Sequence, residues 1–202
     1  MKSFDPDPRE RRGGRSLQQP TISMRLDHIA YRVSDRQKTA DFFMSSFGYR
    51  MQTEFDINFD DGSKARCFAL EPPEKPAGEA PWSVVAPQVA GEVPYHMAPE
   101  IFISSGDANS IVGQWVAARG GIGGIHHLAY QVDSVEQTMR EWKEKGYAEF
   151  STEDVLRCPD LVQVFTKPSQ LTGVIYEFIQ RGRHGFCADN VKDLMNSTKA
   201  YK

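Results

Sequence analysis

Residues 26–33, LDHIAYRV, alternate apolar and polar positions with the period of two expected of a half-buried strand. Ala40, Phe43, Met44 and Phe47 then recur at helical spacing through SDRQKTADFFMSSFGY, and Gly48 supplies a stop. RMQTEFDI, KARCFALE and PEIFISS follow as three strand-like runs. The order then returns. GIHHLAYQV reads as a strand, SVEQTMREWKEKGY as a helix ending at Gly146, and AEFSTEDVL, DLVQVFTKP and GVIYEFIQRG as three more strands. The pattern predicts an α+β fold of two tandem βαβββ modules, at about 24–106 and about 124–182. A linking helix is expected at about 109–121, in NSIVGQWVAARGG, and a last helix at about 190–202, in NVKDLMNSTKAYK.

Two stretches fall outside this rhythm. Residues 1–23, MKSFDPDPRERRGGRSLQQPTIS, are polar, lack the apolar run of a secretory signal, and read as a disordered extension of a domain covering 24–202. Residues 72–99 hold most of the chain's twelve prolines and read as a long irregular loop.

Strand parity selects the chemistry. Successive side chains on a strand point to opposite faces, so Ile29, Tyr31 and Val33 share the face beneath the helix, and His28, Ala30 and Arg32 share the other. In the second copy Leu128, Tyr130 and Val132 take the core face, which leaves His127, Ala129 and Gln131 opposite. The equivalent of His28 is therefore His127, while His126 falls on the parity of the core face. On the last strand Glu177 lies between Ile175 and Ile179, where an ionised carboxylate is costly unless it is paired or bound to a metal.

Two histidines at matching positions of a repeated module, joined by one carboxylate, suggest a metal site with positions left open for substrate and O2. That donor set suits Fe(II), which can take a 2-oxo acid bidentately; Zn(II), Mn(II) or Ni(II) are other divalent choices. Glu71 and Glu100 are fallback carboxylates. His96, in the Pro-rich loop, and His184, in RGRHG, are expected not to be ligands.

Composition narrows the classes. Hydrophobic residues at 40% and charged residues at 25% are ordinary for a globular chain with a core. A net charge of -3 gives no basic footprint for nucleic acid or an anionic membrane, and no apolar run is long enough to span a bilayer. Cys67, Cys158 and Cys187 are odd in number and far apart, so they read as reduced thiols of a cytoplasmic protein.

Tandem βαβββ modules with a histidine on each first strand resemble the vicinal oxygen chelate superfamily, which includes glyoxalase I, methylmalonyl-CoA epimerase and extradiol dioxygenases. The resemblance implies a half-open, barrel-like sheet. LVQVFTKPSQLTGVIYEFIQRGRHGFCADNVKDL, at 161–194, resembles the end of the 4-hydroxyphenylpyruvate dioxygenase family, with its Leu-Gln-Ile-Phe-Thr-Lys-Pro and Glu-x-Ile-Gln-Arg strands. GIHHLAY and LDHIAYRV likewise resemble that family's Gly-Val-Gln-His-Ile-Ala-Leu and Asp-His-Ile strands. The positions matching the family's iron ligands are His28, His127 and Glu177. Gln163 matches a substrate-pocket glutamine, Phe165 a ring-stacking phenylalanine, and Phe186 and Asn190 residues of a pocket-closing helix.

The chain also departs from that family. The family enzymes carry an additional N-terminal domain of the same architecture. His126 stands where they have a glutamine, which makes it a substrate-pocket residue by the resemblance. Val191 replaces an aromatic residue, FCADN replaces FGxGN, and Ile111 replaces a pocket glutamine.

The resemblance implies an Fe(II)-dependent dioxygenase that acts on an aryl pyruvate or other 2-oxo acid with O2. The alternatives are a divalent-metal isomerase, epimerase or lyase of the glyoxalase type, or a non-catalytic small-ligand module. The redox-inert enzymes usually place a fourth ligand or a base from the first module, and no such residue stands out. A homodimer is expected, because two modules leave open sheet edges.

Overall fold

The protein is described from a computed structural model, covering residues 24–73, 98–159, 161–182 and 186–201. The expected tail and most of the Pro-rich loop, with His96 and His184, lie outside the described residues.

The two predicted modules share one continuous sheet. The first contributes β1 (Met24–Val33), α1 (Arg36–Phe47), β2 (Arg50–Asn58), β3 (Lys64–Glu71) and β4 (Glu100–Gly106). After α2 (Ile111–Ala117), the second contributes β5 (Gly123–Val132), α3 (Val135–Glu144), β6 (Leu156–Cys158), β7 (Leu161–Phe165) and β8 (Ile175–Arg181), and α4 (Ala188–Ser197) follows. The eight strands run in the order β2-β3-β4-β1-β5-β8-β7-β6. At the centre β1 and β5 pair antiparallel, flanked by the parallel pairs β1–β4 and β5–β8. The first strands of both modules thus lie side by side, and each copy of the repeated histidine is brought to the middle of the sheet.

The helices form where their caps dictate. Asp35 accepts from Lys38 N–H at the start of α1, and Gly48 ends it in a left-handed conformation at φ 74°, which glycine adopts at least cost. Ser110 and Ser134 cap α2 and α3 in the same manner. Gly123 has a second use: a Cβ there would overlap the Arg32 carbonyl oxygen, so only glycine lets β5 begin against the end of β1.

The two faces of the sheet are packed differently. Ile29, Tyr31 and Val33 pack with Phe43 and Met44 of α1, while Tyr130 and Val132 pack with Val135, Met139 and Phe178 around α3. On the other face Ala30 packs with Phe102, Val112, Val191 and Met195, so α4 covers the side to which His28 and Arg32 point.

Three expectations are corrected. AEFSTEDVL does not form a full strand: Phe150 makes one isolated bridge to Thr166, 151–154 is a bend, and only the three-residue β6 follows. The C-terminal helix begins at Ala188 and ends at Ser197, before the expected 202. Cys158 and Cys187 are joined as a disulfide and are not reduced thiols; Cys67 is a free, buried cysteine. Their separation of 29 residues conceals the pairing, because the fold alone carries the end of β6 to the start of α4, with 6.6 Å between Cα atoms.

Candidate metal centre

His28 comes from β1, His127 from β5 and Glu177 from β8, three neighbouring strands. All three side chains are buried, and they form the only His/Cys/Asp/Glu group of metal-binding geometry among the described residues. His28 Nε2 lies 3.2 Å from His127 Nε2, and Glu177 Oε2 lies 3.3 Å from the first and 3.0 Å from the second. An ion about 2.1 Å from each donor would separate neighbouring donors by roughly 3.0 Å at a right angle and roughly 3.4 Å at a tetrahedral angle. The triangle therefore fits a divalent ion.

The surroundings of each donor support the same fit. His28 Nδ1 lies 2.8 Å from Asp27 Oδ1, and Arg181 grips Asp27 through Nε at 2.8 Å and Nη2 at 2.6 Å. A ligating histidine characteristically donates its second ring N–H to a carboxylate in this way. Gln163 Nε2 donates to Glu177 Oε1 at 2.6 Å, which occupies one carboxylate oxygen and leaves Oε2 toward the histidines. Asn190 of α4 donates to the Gln163 carbonyl at 3.4 Å. On the His127 side, Nδ1 lies 2.9 Å from His126 Nδ1.

Electrostatics divide these groups: His28 is held as an imidazolium that must give up a proton to serve as a ligand, whereas His127 is already neutral and Glu177 already ionised. Burial opposes charging of His28, yet Glu177 and Asp27 together raise its imidazole to about 9. Burial lowers His127 to about 4 against the pull of Glu177, so it is neutral at physiological pH. Glu177 is also opposed by burial, but the two histidines hold it well below the usual carboxylate range. Burial, Arg32 and His127 depress His126, which is neutral too.

The walls are largely aromatic and apolar. Phe165 lies against the His127 ring at 4.6 Å between centroids. Phe186 meets His28 edge-on at 5.3 Å and Phe102 at 5.1 Å, with the Arg181 guanidinium 4.6 Å from its ring. Val191, Leu194 and Met195 close the cavity from α4, leaving about 30 Å³, the space of about one water.

The twofold arrangement of the modules is broken at one position. Ala30 pairs with Phe102 across β1–β4, and the matching Ala129 pairs with Glu177 across β5–β8. Phe102, which lines the cavity, is thus the first module's counterpart of Glu177. A fourth ligand from that position is absent.

The profile of the Glyoxalase/Bleomycin resistance protein/Dioxygenase superfamily matches residues 25–169. The chain belongs to this superfamily. A search among curated proteins finds no match. Among solved structures, the S221M V223F Y359A mutant of 4-hydroxymandelate synthase from Streptomyces coelicolor aligns with a TM-score of 0.66 at 20% identity, over 88% of this chain and 54% of that one. This chain spans about half the length of that enzyme. Methylmalonyl-CoA epimerase from Mycobacterium tuberculosis aligns with a TM-score of 0.52 at 21% identity, over 78% of this chain and 87% of that one. At such identities these likenesses establish the superfamily fold and leave the reaction to the site.

Most of the residues selected from sequence converge here. Gln163, Phe165, Phe186 and His126 line the same cavity as the triad, and Asn190 reaches it through Gln163. Gln163 spends both ends of its amide on Glu177 and Asn190. Glu100 is paired with Arg181 at 2.7 Å and Glu71 with Arg50 at 3.2 Å, so neither fallback carboxylate joins the triad.

His126 departs from its expected side. The β1–β5 register shifts between Ala30 and Tyr31, whose partners are His127 and Ile125, so His126 sits in a β-bulge. A bulge lets consecutive side chains face the same way, and His126 lines the cavity beside His127. Asp27, Arg181 and Arg32 were not assigned from sequence. The available signals were the Asp-His pair, the arginine ending the last strand, and a cation sharing the parity of His28.

Proposed function

We propose that the protein is a non-haem Fe(II)-dependent dioxygenase acting on an aryl pyruvate or other 2-oxo acid. The observation that carries this reading is the three-donor face of His28, His127 and Glu177 with Phe102 at the fourth, symmetry-related position. Two histidines and one carboxylate leave adjacent positions open, as non-haem Fe(II) oxygenases require. Bound Fe(II) supplies a chelation point for the 2-oxo acid and the electrons that O2 chemistry needs.

The chain's own residues prepare that chemistry. Asp27, held by Arg181, fixes the His28 ring with Nε2 toward the ion. Gln163 fixes Glu177 so that one oxygen serves the ion. Phe165, Phe102 and Phe186 form a wall that favours an aryl or other apolar body and excludes water from the reacting groups. Because the described cavity is small, α4 side chains must shift to admit an organic ligand.

The test is anaerobic reconstitution with Fe(II), followed by O2 uptake and CO2 release with a panel of aryl pyruvates and aliphatic 2-oxo acids. Turnover of a 2-oxo acid is expected, and a visible charge-transfer band should appear when it is added without O2. Protein that binds Fe(II) yet turns over none of them would refute the reading. Turnover under strict anaerobiosis with Mn(II) or Zn(II) would assign the site to the redox-inert, epimerase-like branch instead.

A homodimer is part of this proposal. β2 and β6 form the two edges of the sheet, and β2 is exposed along most of its length. Exposed edges invite pairing with a second copy. Light scattering should report a dimer; a monomer at all concentrations would dismiss it.

A further inference from the structure

Arg32 follows His28 by four residues on the same face of β1, about 13 Å along the strand at 3.3 Å per residue. It lines the same cavity and is 2% exposed. Burial and the nearby Arg119 push its pKa down to about 9, so it remains a cation at neutral pH. Among the described residues no carboxylate compensates it, and the one acidic group that acts on it is the buried Cys67 thiol. Its contacts are weak: Nη2 reaches Thr198 Oγ1 at 3.4 Å, and its guanidinium lies 5.8 Å from the Trp115 ring. Nη1 is buried with no hydrogen-bond partner. A buried guanidinium left this incompletely paired costs stability.

His126 offers a second such atom. If His127 turns its Nε2 lone pair toward the metal, its Nδ1 carries the proton and donates across 2.9 Å to His126 Nδ1. His126 then carries its proton on Nε2, which is also buried and unpartnered. Two unsatisfied donors, one of them cationic, line the cavity beyond His127. Ser104 adds a hydroxyl to the lining there.

We propose that the Arg32–His126 end of the cavity binds a second acidic group of the ligand, so that the substrate class is a 2-oxo acid bearing a carboxylate at its far end. The inference rests on the 2-oxo acid reading above and sharpens it. The head of such a ligand would face His28, His127 and Glu177, its body would lie along Phe102 and Phe165, and its tail carboxylate would accept from Arg32 Nη1 and His126 Nε2. The tail would supply the anion that Arg32 lacks among the described residues, and a neutral or phenolic tail would leave the guanidinium unpaired.

The experiment uses the full chain loaded with Mn(II), which keeps the ligand from being consumed, and titrates a matched pair by calorimetry: 4-carboxyphenylpyruvate and 4-methylphenylpyruvate. Wild type is expected to bind the carboxylate probe at least about tenfold more tightly, the effect of one charged hydrogen bond. Arg32→Met should take up Mn(II) as wild type does and lose the preference, while Arg32→Lys should keep part of it. Ligand-free Arg32→Met should melt no lower than wild type, since it removes a buried charge without a counterion. Equal binding of the two probes by wild type, a preference retained in Arg32→Met, or a markedly lower melting temperature for that variant would overturn the proposal. Mn(II)-loaded protein that binds neither probe would overturn it together with the 2-oxo acid reading. If wild type takes up no metal, the functional reading falls by itself. Benzoate added to the metal-free protein then decides: an Arg32-dependent rise in melting temperature supports the subsite, and no rise overturns it.

Discussion

Gln163 donates to Oε1 of Glu177 at 2.6 Å, and Oε2 of the same carboxylate is the atom that faces both histidines. One amide thus decides which oxygen is available to an ion. Groups that orient metal ligands typically contribute 10–100-fold to affinity. Gln163→Met, close in length but without the donor, should fold normally and bind divalent metal about 10–100-fold more weakly. Calorimetric titration with Mn(II) checks this, and unchanged affinity would remove Gln163 from the site's support.

The two adjacent histidines should separate cleanly. His127→Ala removes a donor from the triad and should abolish stoichiometric metal binding. His126→Ala removes only the partner of His127 Nδ1, so it should retain one metal per chain at reduced affinity. Metal analysis after gel filtration reads both. Loss of metal from the His126 variant alone would reverse the assignment.

Arg181 is expected to matter to stability as much as to the site. It joins Asp27 and Glu100 and stacks near Phe186, and its side chain is only 16% exposed. Arg181→Met strands two partly buried carboxylates, and breaking such a pair costs about 3 kcal/mol. Calorimetry should show a melting temperature lower by roughly 6–12 °C for a domain of this size. His28 also loses the carboxylate orientation that Arg181 enforces through Asp27, so metal affinity should fall in parallel.

The cysteines give a counting experiment. The native protein should present no reactive thiol, the denatured unreduced chain one, and the reduced denatured chain three. Burial pushes the Cys67 thiol from 9.0 up to about 12, chiefly because a thiolate on β3 would lose its solvation. The folded state therefore holds this proton more tightly than the unfolded state does. Its contribution to stability is complete below pH 9 and is lost as pH rises from 9 to about 12. Relative to Cys67→Ala, the oxidised wild type should lose up to about 1.4 kcal/mol per pH unit across that window, measured by denaturant titration. Equal slopes would show that the thiol is not shielded as its position requires.

Much of this site was legible because strand geometry is discrete. A period of two matched His127 to His28 across the two modules, and the apolar neighbours of Glu177 marked that carboxylate as one in need of a partner. His126 was misplaced for the complementary reason: a single-residue bulge between Ala30 and Tyr31 resets parity, and nothing in GIHHLAY announces it. Arg32 was placed on the right face but left without a role. A cation on a strand ordinarily reads as solvated, and the docking of α2 and α4 on this face removes it from water. The pairing of Cys158 with Cys187 depends on how two distant segments meet, which spacing does not encode. AEFSTEDVL has strand-like composition, yet its pairing is limited to one isolated bridge, Phe150 to Thr166 just past β7, and to its last residue, Leu156, opposite Gln163 of β7.

The Phe102–Glu177 correspondence has a meaning beyond coordination. A protein built from two identical copies must alter both halves together, so an acid gained by one is gained by the other. In a single chain that constraint is gone, and the halves are free to take up a division of labour. The backbone keeps its twofold plan, but one side now offers an acid and the other a ring. The molecule therefore has a direction. Whatever enters the cavity meets coordination on one flank and an aromatic surface on the other, and so has one way round to bind.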